Sequence, residues 1–270
     1  MFNNVSVVPM EQDYQKVIPL TVVEGKLKKK ETKYNKDGSI DRRSNNGHNK
    51  VVGEDSEVYA LRTKEEISAM LEVFDKHIRE SANNNQRQIA CRNKLLFLIG
   101  INIGIRASDL RTLKWHFFFD KRGDALEFKE FYTLQPIKQR KQKKFVKLFF
   151  NQAVKTAISN YISEYPIDDL NSYLFASRKG EEPIDVNSLW RIIKKTAIEA
   201  DIRQNIGSHS MRKTFGFWCW HEAEDKSKAL VILQKCFNHS DTMTTMKYIG
   251  LLDDEIEDMY NSIELGLEFI

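Results

Sequence analysis

Apolar residues recur at helical spacing over most of the chain, and one stretch alternates instead. Ile67, Met70, Leu71 and Phe74 mark the core face of a first helix. Thr63-Lys64-Glu65-Glu66 before it fits a capping box, with a Thr hydroxyl capping the third backbone amide and Glu66 reaching back. A second helix is predicted from about Ile89 to Ile101; it is apolar on nearly every side and therefore buried. Ile103-Gly104-Ile105 breaks it, and a short helix resumes from Ala107 to Trp115. Between Ala125 and Phe150 the pattern becomes strand-like, with a charged hairpin between two apolar runs. Beyond it the chain reads as helical again. Asp185 or Asn187 caps a helix carrying Leu189, Trp190, Ile192 and Ile193, and further helices are expected over 209–223, 226–236 and 253–265. No internal repeat is visible. The fold class is mainly α with a small antiparallel β-sheet.

Composition divides the chain. Lys26 to Lys50 is rich in Lys, Arg, Asn, Asp, Gly and Ser, and a segment this polar cannot bury enough surface to offset its ordering entropy. Residues 1–57 are therefore expected to form a disordered basic arm, a solvated tail or a DNA-contacting one, and 58–270 a single catalytic domain. The 270 residues suffice for one large domain. The net charge of +4 does not by itself imply nucleic acid, so the distribution of charge matters more. Cys91, Cys219 and Cys236 are odd in number and scattered, which excludes a disulfide framework. The first residues, Met1-Phe2-Asn3-Asn4, are polar and without the basic start and apolar run of a signal peptide, so none is expected, and no apolar run is long enough to cross a bilayer. A soluble cytoplasmic protein is expected.

Four local features carry candidate chemistry. The first is Gly104-Ile105-Arg106-Ala107-Ser108-Asp109-Leu110, an Arg just after a helix break. The second is the hairpin Lys138-Gln139-Arg140-Lys141-Gln142-Lys143-Lys144, with five cations and no acid, able to track a phosphate backbone. The third is His209-Ser210-Met211-Arg212, whose imidazole and guanidinium share a helix face. The fourth is Asn238-His239-Ser240 followed by a hydroxyl-rich turn and Tyr248, nine residues after His239. Each alone has an ordinary explanation: a surface Arg paired with Asp109, a solvated hairpin, a polar helix start, a packed Tyr. Together they suit phosphoryl transfer. Planar guanidinium groups match two phosphate oxygens, a phenol can form a phosphoester, and Lys and His can move protons.

The order Arg, hairpin Lys, His-x-x-Arg, His, Tyr resembles the tyrosine recombinase or phage-integrase family, over roughly Val58 to Tyr260. That resemblance implies a site-specific recombinase or integrase that breaks and rejoins double-stranded DNA through a 3′-phosphotyrosyl link to Tyr248. Arg106 and Arg212 would clamp the non-bridging oxygens, His209 would assist proton transfer and His239 would bond the phosphate. Asp109 would orient the site. The usual register of the catalytic lysine falls on Gln139; Lys138 or Lys141 serves if the turn differs in length, and Lys138, at the end of the first strand, is favoured. Arg140, Lys141, Lys143, Lys144 and Lys213 complete the implied DNA contacts. No metal or other cofactor is implied.

Two further expectations concern partners. The family usually carries a helical clamp domain before the catalytic one, and the segment before Leu61 is too short and polar to be it, so the basic arm or an accessory DNA-binding protein would compensate. The last helix has an apolar stripe of Ile256, Met259, Ile263 and Leu267, which either packs in cis or docks on a neighbouring protomer. Tyr260 is a rival nucleophile, but its acidic neighbours would repel a phosphate. Cys236 and His239 have a metal-like spacing without a second pair, so no zinc site is expected. Phe217, Trp218 and Trp220 read as core rather than as a base-stacking platform. The alternatives to recombination are a nicking and closing enzyme like a type IB topoisomerase, or a DNA-binding regulator of the same fold.

Overall fold

The computed structural model describes residues 57–263 except Asp124 and Lys179. The basic arm up to residue 56 and Leu267 lie outside the described residues. Helix α1 (Lys64–Arg79) starts at the expected box: Thr63 accepts from the Glu66 amide and the Glu66 carboxylate from the Thr63 amide. Its Met70, Val73 and Phe74 are buried. Helix α2 (Asn84–Ile103) begins earlier than its apolar run because the Asn83 side chain caps the Gln86 amide. It forms the middle of the domain, with Leu95, Leu96, Phe97 and Ile99 buried. Each such side chain contributes about 1.5–3 kcal/mol by leaving water.

Gly104 ends α2 in the left-handed conformation, at φ 67°. The chain then turns into α3 (Ala107–Leu110), a single turn, and a 3₁₀ turn at Trp115–Phe117. The expected short helix over Ala107–Trp115 is thus two pieces. The single expected sheet is also two: β1 (Phe119–Arg122) pairs antiparallel with β2 (Ala125–Phe128), and β3 (Phe131–Leu134) with β4 (Val146–Phe149). Phe131 faces Phe149 and Leu134 faces Val146. The basic segment between β3 and β4 is not an extended hairpin but a 3₁₀ turn, Ile137–Gln142, closed by Lys143 at φ 49°.

The remaining elements are helical: α4 (Gln152–Glu164), α5 (Val186–Glu199), α6 (Ser208–His221), α7 (Lys226–Phe237), α8 (Thr242–Ile249) and α9 (Leu251–Asn261). Asn151, Asp185, Asp225 and Asp241 cap α4, α5, α7 and α8, each accepting from an amide three residues on. Asp185, not Asn187, is the α5 cap. The expected turn between His239 and Tyr248 is instead the helix α8. No helix among the described residues is long and apolar enough to cross a membrane.

Buried apolar side chains fall into two clusters. The larger surrounds α2 and runs from Leu61 to Met211. The smaller gathers Phe217, Leu233, Phe237, Ile249 and Leu251 from α6, α7, α8 and α9. Phe217, Trp218 and Trp220 belong to or pack on this second cluster, and Trp218 Nε1 donates to the Leu61 carbonyl.

Gly104 joins the clusters, because a Cβ there would collide with the Phe215 ring. Gly104→Ala adds that collision to a backbone conformation that L-residues resist. We expect a loss of roughly 2 kcal/mol or more, seen as a lower urea midpoint at unchanged slope. An unchanged midpoint would contradict this packing.

Candidate active site

The site forms where the two clusters meet. Arg212 sits on the second turn of α6, 5% exposed. Its Nη1 donates to the Gly104 carbonyl at 2.7 Å and its Nη2 to the Phe237 carbonyl at 3.1 Å. Its guanidinium also lies 4.2 Å from the Phe237 ring centroid. Two of its five N–H donors are thereby used, and three remain for a ligand or for Tyr248. Burial, and Arg106 beside it, lower its pKa to about 10, against the pull of Tyr248 and Asp109. It therefore stays a cation near neutral pH.

Arg106 enters from the other side. It precedes α3 in extended backbone, and its carbonyl accepts from the Asp109 and Leu110 amides. Its side chain is half-buried, and its charge is felt at Arg212, His209, His239 and Tyr248. Asp109 is buried at 2% exposure and accepts from the Ile137 amide at 2.8 Å. It thus ties the Arg106 segment to the start of the basic 3₁₀ turn. Lys138 follows in that turn, exposed, with its charge acting on His209. It lies beyond the end of β3 rather than on it.

His209 occupies the first turn of α6. Desolvation of its inner side, then Lys138, Arg212, Arg106 and Lys213, all push its pKa below the ordinary imidazole value. His239 is similarly depressed, by burial and then by Arg212 and Arg106, with Asp241 opposing. Its Nδ1 lies 3.0 Å from Thr245 Oγ1. The Thr245 hydroxyl donates to the Asp241 carbonyl at 3.3 Å. With that proton committed, the His239 Nδ1–H donates to Thr245, and Nε2 is left as an acceptor.

Tyr248 is carried by α8. Its ring meets His239 edge-on at 5.2 Å between centroids and Phe237 at 5.5 Å. Burial raises the phenol above its ordinary pKa, while Arg212 and Arg106 draw it down and Arg212 hydrogen-bonds it. The phenol is therefore protonated near neutral pH and needs a proton acceptor to react.

These placements bring Arg106, Asp109, Lys138, His209, Arg212, His239 and Tyr248 into one neighbourhood. Arg140, Lys141, Lys143 and Lys144 are exposed on or after the 3₁₀ turn. Lys213 is enclosed, unlike those four. It is buried at 6% exposure, its Nζ pairs with Glu57 at 2.7 Å, and it lies 5.5 Å from the Tyr248 ring centroid. It faces inward because α6 turns its Arg212–Thr214 stretch into the core, which places it beside the tyrosine. Tyr260 is 72% exposed on α9. Thr245 was not singled out by sequence; its spacing of six from His239, beside the capping Asp241, is the signal that marks it.

The depressed histidines have a thermodynamic consequence. Below the ordinary imidazole value the unfolded chain binds protons that His209 and His239 resist in the folded state, so stability falls with falling pH. The urea midpoint should drop between about pH 7 and about pH 5.5, above the carboxylate range. His209→Gln should flatten that slope; an equal slope in the variant would contradict the assignment.

Comparison with known proteins agrees with this geometry. The model of the phage integrase family matches residues 63–255. The probable integrase/recombinase YoeC of Bacillus subtilis (strain 168) is 29% identical over 169 residues, covering 63% of this chain and 83% of that protein. The tyrosine recombinase XerD of Staphylococcus saprophyticus is 28% identical over 108 residues, covering 40% of this chain and 35% of its own. Among solved structures, the XerH site-specific recombinase bound to palindromic difH substrate, in a post-cleavage complex, superposes with a TM-score of 0.53 at 19% identity, covering 76% of this chain and 53% of that one. The XerA recombinase superposes with a TM-score of 0.53 at 18% identity, covering 78% and 64%. At such identities the structural likeness speaks for the fold alone. The chain thus spans about a third of the staphylococcal XerD and about half of XerH. With a family match over well more than half its length, the chain belongs to the phage integrase family, the tyrosine recombinases.

Proposed function

We propose that the chain is a site-specific DNA recombinase or integrase acting through a 3′-phosphotyrosyl intermediate on Tyr248. The observation that carries this reading is a half-buried phenol beside Arg212 and within reach of the Arg106 charge, edge-on to the His239 ring, with both His209 and His239 held below the ordinary imidazole value. Two guanidinium groups beside a phenol suit a phosphate that gains charge as it is attacked.

The proposed reaction balances without a further reactant. Tyr248 Oη attacks the scissile phosphorus, and its proton passes to His239 Nε2. The imidazolium so formed donates to the phosphate. Arg106 and Arg212 hold the non-bridging oxygens, and Asp109 fixes the Arg106 segment. The bond to the 5′-oxygen breaks, and that oxygen takes a proton from Lys138, with His209 assisting. The 5′-hydroxyl of a partner strand then attacks the phosphotyrosine, returning its proton to Lys138, and Tyr248 recovers its own from His239. The covalent bond conserves the energy, so no nucleotide is consumed.

Double-stranded DNA is the proposed substrate, and exposed Arg140, Lys141, Lys143 and Lys144 supply a cationic surface for its backbone. Self-association on DNA is proposed through α9, whose Ile256 and Met259, with Ile263 just beyond its end, are all at least half exposed. An accessory DNA-binding protein is a further proposed partner.

A suicide duplex nicked near the cleavage site tests the reading. A denaturant-resistant protein–DNA adduct should form and vanish in Tyr248→Phe. No adduct on any candidate site, including DNA flanking its own gene, would favour a binding-only protein. An adduct without pairing of two sites would favour nicking and closing. Thr245→Val keeps the shape but removes the hydroxyl that orients His239. It should slow adduct formation by roughly tenfold or more with duplex affinity retained; a wild-type rate would remove Thr245 from the mechanism.

A further inference from the structure

Residues 57–62 take no part in the proposed chemistry, yet they cross the elements that hold Tyr248. At one end Glu57 pairs with Lys213, whose side chain is only 8% exposed and which lies over the Tyr248 ring. A lysine so enclosed is costly to leave without its carboxylate partner. In the middle, the Leu61 amide donates to Thr214 Oγ1 at 2.9 Å, and its carbonyl accepts from Trp218, both on α6. At the other end Arg62 Nη2 donates to the Gly250 carbonyl at 2.8 Å, while its guanidinium lies 5.3 Å from the Phe217 ring centroid.

Gly250 ends the tyrosine helix α8 and opens α9 at φ 83°. A Cβ at this position would collide with the Arg62 guanidinium. The Arg62 guanidinium therefore packs directly on the Gly250 backbone behind the tyrosine helix. Helix α8 has only eight residues, too few to hold its own shape in water, so its ends must be fixed from outside. Asp241 fixes the first end by accepting from the Thr244 amide at 2.6 Å. Arg62 is the side chain that reaches the other.

We propose that residues 57–62 are a strap that positions Tyr248, with Arg62 as the positioning residue at the Gly250 hinge. This rests on the recombinase reading for its effect on cleavage, and on geometry alone for its effect on α8. Through Glu57 and Lys213 the strap bears on the tyrosine ring; through Arg62 it bears on the end of the tyrosine's helix. Its loss leaves the phosphate clamp of Arg106 and Arg212 in place but frees the nucleophile to wander.

The test uses the full chain with Arg62→Ala, Arg62→Lys and Glu57→Gln. Single-turnover adduct formation on the nicked duplex should fall by on the order of tenfold to a hundredfold in Arg62→Ala, with duplex affinity unchanged. Arg62→Lys, which keeps one donor, should recover part of the rate, and Glu57→Gln should show a smaller loss. Hydrogen exchange of free protein should rise in the α8 amides and stay unchanged in α2 and α5. Unchanged α8 exchange would overturn the strap whatever the cleavage rate, as would exchange rising through α2 and α5 in step. If wild type forms no adduct, the recombinase reading fails, and α8 exchange still decides the strap.

Discussion

The site depends on a buried guanidinium whose side-chain bonds go to two backbone carbonyls. Arg212 spends two donors on the carbonyls of Gly104 and Phe237, which lie 108 residues before it and 25 after it. Each carbonyl sits at a helix end, where the backbone needs a donor from outside the helix. Arg212 thus pins the end of α2 to the end of α7, and so one apolar cluster to the other. Because these partners are neutral, its positive charge is not cancelled. The other consequences are electrostatic: it adds to the burial that depresses His209 and His239, and with Arg106 it draws the Tyr248 phenol down against the burial that raises it.

In the proposed reaction this arrangement separates holding a phosphate from attacking it. The proposed clamp comes from the segment before α3, which rests on the large cluster, and from α6, which touches both clusters, whereas Tyr248 rides on a short helix packed on the small one. The backbone around Arg212 is fixed from both sides. Tyr248 is fixed by ring contacts with Phe237 and His239, by Lys213 over its face, and by the caps of α8. The covalent step would thus be governed by the less deeply anchored part of the site.

Much of this was legible along the chain, for physical reasons. The Thr63 box and the buried α2 are local patterns, and Gly104 at a helix break is a local conformational demand. Arg106, His209, Arg212, His239 and Tyr248 were recognisable because their order and spacing match a family, not because any one is distinctive. Helix α8 was missed because Thr242, Thr244 and Thr245 are poor helix formers. It exists because Asp241 caps it and because Thr245 and Ile249 are buried. The burial of Lys213 was invisible because its partner Glu57 lies 156 residues away in sequence. The basic segment read as a hairpin because its flanks are strands, but the Asp109 bond to the Ile137 amide holds its start in a 3₁₀ turn instead.

Arg212 is proposed to serve the fold and the phosphate at once. A crystal structure of the chain on a duplex with its scissile phosphate in place tests this most directly. Arg212 should keep its bonds to the Gly104 and Phe237 carbonyls while its remaining donors and those of Arg106 contact the same phosphate, with Tyr248 Oη facing the phosphorus. A phosphate bound away from Arg212, or an Arg212 that must abandon those carbonyls to reach it, would contradict the account.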